Sequence, residues 1–165
     1  MATIALKKPG QTIVLIGETR GHLGQSIYLR DILGREEGPP PPVDLVAERR
    51  HGEAVRRLIE TGVVATCHDL SDGGLLLALA EMCMAGKLGA SIALPPGLAP
   101  HEAAFGEDQG RYLVAVDDPA PVLAAGVPAM VLGTTGGADL TLAGQAPISV
   151  ARLRAAHEAW LPAYM

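Results

Sequence analysis

Aromatic residues are nearly absent: one Trp, three Tyr and one Phe in 165 residues. A core without many rings must be filled by Ala, Val, Leu and Ile. With 48% hydrophobic residues the chain has enough of them for helices layered on a sheet. Cysteine is equally scarce. Cys67 and Cys83 have no spacing suited to zinc, and two cysteines do not make a disulfide framework, so the expected compartment is a reducing cytoplasm. Clustered positive charge is missing as well. The formal net charge is -5, and the densest basic spots, Arg49-Arg50 and Arg56-Arg57, read as a solvated helix face. That argues against a nucleic-acid partner, whose phosphates demand a stripe of Lys and Arg. No apolar run reaches the ~18 residues of a membrane span, and the N-terminus lacks the apolar stretch of a signal peptide, so no membrane partner is expected.

What is present is a mixture of strand and helix signals. Gln11 to Gly17 reads as a strand ending in glycine, followed by a glycine-rich loop to Ser26 and a short helix from about Ile27 to Leu33. Four consecutive prolines, Pro39 to Pro42, form a stiff connector. Asp44 is placed to cap a helix running to about Thr61, with Leu45, Val55, Leu58 and Ile59 as its apolar members and Gly62 as its stop. Val63 to Thr66 reads as a strand, and Leu75, Leu79, Met82 and Cys83 have the spacing of a buried helical stripe. Ala90 to Leu94 and Arg111 to Val116 read as strands separated by an irregular stretch. A short helix is expected over Pro121 to Gly126. Ala129 to Gly133 and Asp139 to Leu142 read as a hairpin closed by Gly136-Gly137. Ser149 can cap a last helix that offers Leu153, Trp160 and Leu161 for packing. Strands and helices do not alternate strictly, which favours an α/β (α+β) architecture, a mixed sheet covered by helices.

The most informative stretch is Cys67-His68-Asp69-Leu70-Ser71-Asp72-Gly73-Gly74, set between a strand and a helix. In one reading Asp69 is a cation ligand, Ser71 a hydroxyl donor to phosphate, and the Gly73 and Gly74 amides an anion cradle. In the other it is a tight connection in which Ser71 or Asp72 merely caps the helix. His68 has no visible partner at catalytic spacing and reads as a packed strand-end residue. The loop from Gly17 to Ser26 has glycines and a hydroxyl, but fits neither common phosphate-loop spacing. Glu107, Asp108 and Gln109 precede a strand as either a substrate-facing loop or a solvated acidic turn.

The order of these blocks carries a resemblance. Gly17-Glu18-Thr19 with Leu23-Gly24-Gln25-Ser26, then Pro42-Val43-Asp44-Leu45, then His68-Asp69-Leu70-Ser71-Asp72-Gly73-Gly74, then Phe105 to Tyr112, is similar to the C-terminal module of the phosphoribosylformylglycinamidine synthase family. The resemblance spans nearly the whole chain. The superfamily also contains aminoimidazole ribonucleotide synthetase, selenophosphate synthetase, thiamine-monophosphate kinase and a hydrogenase maturation protein.

The resemblance implies a fold like the C-terminal domain of aminoimidazole ribonucleotide synthetase. It also implies membership of an ATP- and magnesium-dependent ligase of purine biosynthesis. That enzyme activates the amide oxygen of formylglycinamide ribonucleotide with phosphate and displaces it with glutamine-derived ammonia. Expected cofactors are Mg2+ and ATP/ADP; expected partners are the preceding modules of the same enzyme and a glutaminase subunit or domain. By the same resemblance Asp69 matches a magnesium ligand, and Ser71, Asp72, Gly73 and Gly74 a nucleotide-phosphate site. Glu107, Asp108 and Gln109 match a substrate loop of the earlier module. No catalytic residue carries over, because those motifs lie in preceding modules. Residues 1–165 are therefore expected to be a single module excised from a longer chain and inactive alone. One departure stands out: Gln25 occupies a position that is glycine in the family, and Ile27 replaces an acid. The rival expectations are an end module of selenophosphate synthetase or thiamine-monophosphate kinase, and a non-catalytic scaffold.

Overall fold

The computed structural model describes residues 1–164, and the side chains of all of these but residues 160–163. Trp160 and Leu161, expected to pack from the last helix, lie outside the described side chains. Among the described residues, seven strands form one mixed sheet in the order β2-β4-β1-β5-β3-β6-β7. They are β1 Thr12–Ile16, β2 Thr66–Asp69, β3 Ala90–Ile92, β4 Tyr112–Val116, β5 Ala129–Thr135, β6 Asp139–Leu142 and β7 Ile148–Ser149. The helices are α1 Leu45–Glu60, α2 Gly74–Gly86, α3 Pro100–Phe105, α4 Ala120–Leu123 and α5 Val150–Tyr164. No helix is long and apolar enough to cross a membrane among the described residues.

Alternation along the central strands explains the layering. Ile13 and Leu15 of β1, with Leu113 and Ala115 of β4, face α2 and the start of α5. Val14, Ile16, Val114 and Val116 point the other way, against Ala54, Val55 and Leu58 of α1 and Val122 of α4. Both faces are therefore buried, and these strands read as continuous apolar runs rather than alternating ones. The α2 stripe is fully buried at Leu75, Leu79, Met82 and Cys83, as its spacing required.

Several expectations are corrected. The strand expected at residues 63–66 starts later, at Thr66, so His68 and Asp69 belong to the strand and not to the turn. Its register against β4 pairs Asp69 with Tyr112. The expected hairpin does not form. β3 lies between β5 and β6, antiparallel to the first and parallel to the second. The Gly136-Gly137 turn wraps around Gly89, whose N–H donates to Gly137 O while Gly136 N–H donates to Gly89 O. A Cβ on Gly89 would meet the backbone of Asp139, so the start of β3 is held where only glycine fits. The stretch after Pro95 contains α3, opened by Pro100, a residue preorganised for a first helical turn. The short helix expected near residue 27 is a single π-helical turn, Tyr28–Ile32. Leu45, counted among the apolar members of α1, is 73% exposed because it lies in the first turn, off the sheet. Asp44 does cap that helix, its Oδ1 accepting from Val46 and Ala47 N–H, each at 3.0 Å. Ser149 Oγ likewise accepts from Arg152 N–H at 3.1 Å.

Candidate functional site

The site expected from the sequence lies at the end of β2 and the start of α2. Asp69 is exposed at the tip of β2, an edge strand. Its neighbour His68 faces the other side of the sheet, where Nε2 sits 2.7 Å from Glu81 Oε2 on α2. Ser71 and Asp72 are exposed; Gly73 and Gly74 are buried. Neither Ser71 nor Asp72 caps α2. The cap position is Gly73 itself, at φ +75°, with no side-chain cap bond. Gly74, at φ +64°, donates its N–H to Ser71 O and tightens the turn. Two successive residues in the left-handed region explain why the sequence places a glycine pair here.

The amides expected to be open to an anion are engaged within the chain. Gly73 N–H donates to Glu107 Oε1 at 2.8 Å, and Ile27 N–H donates to the same oxygen at 2.9 Å. A carboxylate of the chain thus stands at the positive end of α2, where an external anion would otherwise be favoured. A Cβ on Gly74 would come within 2.5 Å of Gly106 O, so the 105–107 segment packs directly on this turn. Tyr28 completes the cover by stacking on Phe105 and His101, with ring centroids 5.1 and 5.9 Å away.

Glu107 and Asp108 are therefore not a solvated acidic turn; they are 9% and 7% exposed. Asp108 Oδ2 accepts from Arg20 and Gly21 N–H at 3.0 and 2.9 Å, and Oδ1 from His22 N–H at 3.2 Å. Three consecutive amides wrapped on one carboxylate fix the glycine-rich loop after β1. Arg111, only 1% exposed, braces the same loop. Its Nε donates to Asp108 O at 2.9 Å, Nη2 to Gly106 O at 2.5 Å and Nη1 to Thr19 Oγ1 at 3.2 Å. Burial pulls its pKa down and the nearby Asp108 charge opposes that. Gln109 is exposed, its Nε2 donating back to Glu107 O.

Gln25, one of two non-glycine residues with positive φ among the described residues, adopts φ +60°. Its side chain donates to Gly38 O at 2.8 Å, tying the loop to the proline connector. The thiols are reserved: burial pushes Cys67 up to about 11, with Asp69 adding to it, and Cys83 up to about 12. Both cysteines are free.

Among the described residues no three His, Cys, Asp or Glu side chains gather as a metal centre. A magnesium ion held mainly by phosphate oxygens and water needs only one or two carboxylates. Asp69, exposed and with only His68 Nδ1 nearby at 3.4 Å, can supply one. Reasoning from the sequence missed Arg111, and also His51, 5% exposed on α1. His51 had a signal: with Val55 and Leu58 it continues the inward stripe of that helix.

The model of the AIR synthase related protein, C-terminal domain, matches residues 8–143. The chain belongs to that family. It is 57% identical over 171 residues to the phosphoribosylformylglycinamidine synthase subunit PurL of Rhodopseudomonas palustris (strain HaA2). That match covers 99% of this chain and 23% of the relative. The same subunit of Parvibaculum lavamentivorans matches with the same identity and coverage. The chain therefore spans less than a quarter of the length of these relatives. Among solved structures, Thermotoga maritima PurL complexed with FGAR superposes with a TM-score of 0.77 at 24% identity, over 93% of this chain and 29% of that one. The hydrogenase maturation protein HypE of E. coli superposes with a TM-score of 0.64 at 18% identity, over 90% of this chain and 51% of that one. These two likenesses bear on the fold, the mixed sheet with helices on both faces.

Proposed function

We propose that the chain is the C-terminal synthetase module of a phosphoribosylformylglycinamidine synthase, as the 57% identity over 99% of its length supports. The reaction of the whole enzyme is the ATP-dependent amidation of formylglycinamide ribonucleotide with ammonia from a glutaminase subunit or domain, in the cytoplasm. Phosphorylating an amide oxygen converts it into a leaving group that ammonia can displace, and charge on the transferring phosphoryl group is what metal and dipoles must stabilise. The catalytic motifs of the family are assigned to preceding modules. Residues 1–165 are read as one module that is inactive alone.

Within that enzyme the module's part is to present Asp69 to a magnesium–nucleotide and Ser71 to a phosphate oxygen. Both side chains are exposed, which supports this assignment. Asp72 stands beside them. Gly73 and Gly74 set the turn's shape, with Glu107 already on the Gly73 amide. Glu107 and Asp108 hold the substrate-type loop in shape, leaving Gln109 as its outward member. The test is a hybrid in which this chain replaces the matching quarter of the R. palustris subunit in a strain lacking its own enzyme. Growth without added purine supports the reading. A soluble, folded hybrid that leaves the strain auxotrophic overturns it.

The engaged Gly73 amide favours a second reading, a scaffold module without ligand. The two part on Mg-ADP binding to the folded hybrid and its Asp69→Ala variant. Affinity lost in the variant supports the site at Asp69, and equal affinity supports the scaffold.

A further inference from the structure

Every residue in the run 31–46 except Pro41 is exposed. The composition of this run is not that of a solvated loop. Ile32, Leu33, four prolines, Val43, Leu45 and Val46 make nine of its sixteen positions apolar, where water-facing turns favour Gly, Asn, Asp and Ser. The π-helical turn leading into it buries none of its five residues. Leu45 and Val46 open α1 at 73% and 80% exposed, in a first turn where acids are the stabilising choice. Together with Leu77 in α2, the run holds six of the eleven large apolar side chains exposed among the described residues. A concentration of this kind marks a contact surface, whereas apolar side chains exposed singly do not.

This surface lies at the end of the sheet that carries the candidate site. Tyr112 is the register partner of both Ile16 and Asp69, so the loops beyond these three residues leave the same end of β1, β2 and β4. The π-helical turn begins beside the start of α2, because Ile27 and Gly73 N–H share Glu107 Oε1. Leu77 stands against Gly73 there. The proline connector is strapped to the glycine-rich loop: His22 Nε2 lies 2.8 Å from Pro39 O, and Gln25 Nε2 donates to Gly38 O. The charges at this end leave an acidic surplus. Arg20, Arg30 and Arg35 are each paired with a neighbouring carboxylate, Glu18, Asp31 and Glu37. Among the described residues no Lys or Arg pairs with the exposed Asp69 or Asp72. A second copy docked here would set its own acids against these, which repels. The relatives supply another occupant, since the segment matching this chain is 23% of their length and the remainder belongs to the same subunit. Stiff prolines also have little conformational freedom left to lose on docking. We propose that residues 31–46, with Leu77, form the face on which the rest of the subunit docks, through an apolar surface bearing Lys or Arg, covering the start of α2. This rests on the reading of the chain as a synthetase module and names the partner of that same site.

The experiment measures maleimide labelling of single Ile32→Cys and Val46→Cys variants, in this chain alone and in the hybrid with the R. palustris subunit. Leu123→Cys on α4 is the control, and the buried Cys67 and Cys83 give a slow background. In the chain alone all three introduced thiols should label quickly. In the hybrid, Ile32→Cys and Val46→Cys should label roughly tenfold more slowly or less, because the reagent must wait for the contact to open, while Leu123→Cys keeps its rate. Where the hybrid does not fold, the same chain titrated with the R. palustris subunit lacking its matching quarter gives the answer in trans. Saturable protection at residues 32 and 46 that weakens as salt is raised supports the proposal. Equal labelling with and without the rest of the subunit overturns it, as does equal slowing at Leu123→Cys. Protection in the chain alone that grows with its own concentration assigns the face to a second copy and overturns it too. A hybrid that is protected yet leaves the strain auxotrophic upholds the docking face while the functional reading falls. Growth with both thiols labelled at the free rate does the reverse.

Discussion

Replacing Glu107 with alanine removes the one carboxylate oxygen that holds Gly73 and Ile27 together. Both N–H groups bond to Oε1, at 2.8 and 2.9 Å, and the residue is 9% exposed, so water has little access to repair the loss. Leaving a buried donor unsatisfied costs about 1–3 kcal/mol, so two of them cost roughly 2–5 kcal/mol after partial relaxation. Losing a negative charge at the N-terminus of α2 adds about 0.5 kcal/mol. Glu107→Gln keeps a carbonyl oxygen for the same two amides and loses only charge assistance, so its cost should be about 1 kcal/mol. Urea unfolding followed by circular dichroism measures both. The expected order is wild type, then Gln, then Ala, with the two variants separated by more than 1 kcal/mol. If Glu107→Ala unfolds within 0.5 kcal/mol of wild type, the carboxylate is not what ties the 26–28 segment to the α2 corner, and the reasoning fails.

The glycine pair gives a contrast. Gly74→Ala drives a Cβ onto Gly106 O at 2.5 Å and should cost about 3–4 kcal/mol, whereas Gly73→Ala meets Leu77, whose Cδ2 at 2.4 Å can turn away but whose Cβ at 2.8 Å cannot, and should cost about 2–3 kcal/mol including its left-handed φ. Thermal denaturation of the two single variants checks that ranking. Asp44→Ala should lower stability by about 1 kcal/mol through loss of two cap bonds, measured by the same unfolding assay. The raised thiols set a pH dependence. Cys67 and Cys83 sit at about 11 and 12 in the fold against an ordinary 9.0, so their contribution is fully present below pH 9.0 and is lost as pH rises toward those values. Unfolding midpoints should fall between pH 9.0 and 11, and less steeply in a Cys67→Ser, Cys83→Ala variant. The native protein at neutral pH should also resist iodoacetamide that labels it once unfolded.

Much of this architecture was legible because local signals and tertiary packing agree. The α2 stripe, the Asp44 cap and the apolar runs of β1 and β4 are set by spacing alone. The hairpin failed because strand order is a non-local property: residues 129–142 contain a plausible turn, but nothing in them reports that Gly89 lets β3 slide between the two strands. The start of β2 was misplaced because Val63 and Val64 look like strand yet close the turn after α1, Val64 N–H donating to Leu58 O. At the corner itself, the glycine pair, Asp69 and Ser71 were visible as a group. Their relation to Glu107 was not, since the partner lies 34 residues away along the chain. The glycines signalled a left-handed turn correctly, but an anion cradle and a turn sealed by the protein's own carboxylate share that signal. Arg111 escaped notice because an arginine before a strand normally faces water, and only the carbonyl and hydroxyl acceptors around it reveal why it is buried.

Glu107 Oε1, bonded to the Gly73 and Ile27 amides, already holds the α2 corner closed. Following the Gly73 and Gly74 amide resonances while inorganic phosphate is added tests this directly, with hydrogen exchange recorded on the same sample. Slow exchange at Gly73 and no saturable shift at either amide is the predicted result. Fast exchange at Gly73, or a saturable phosphate-dependent shift of both amides, would contradict it.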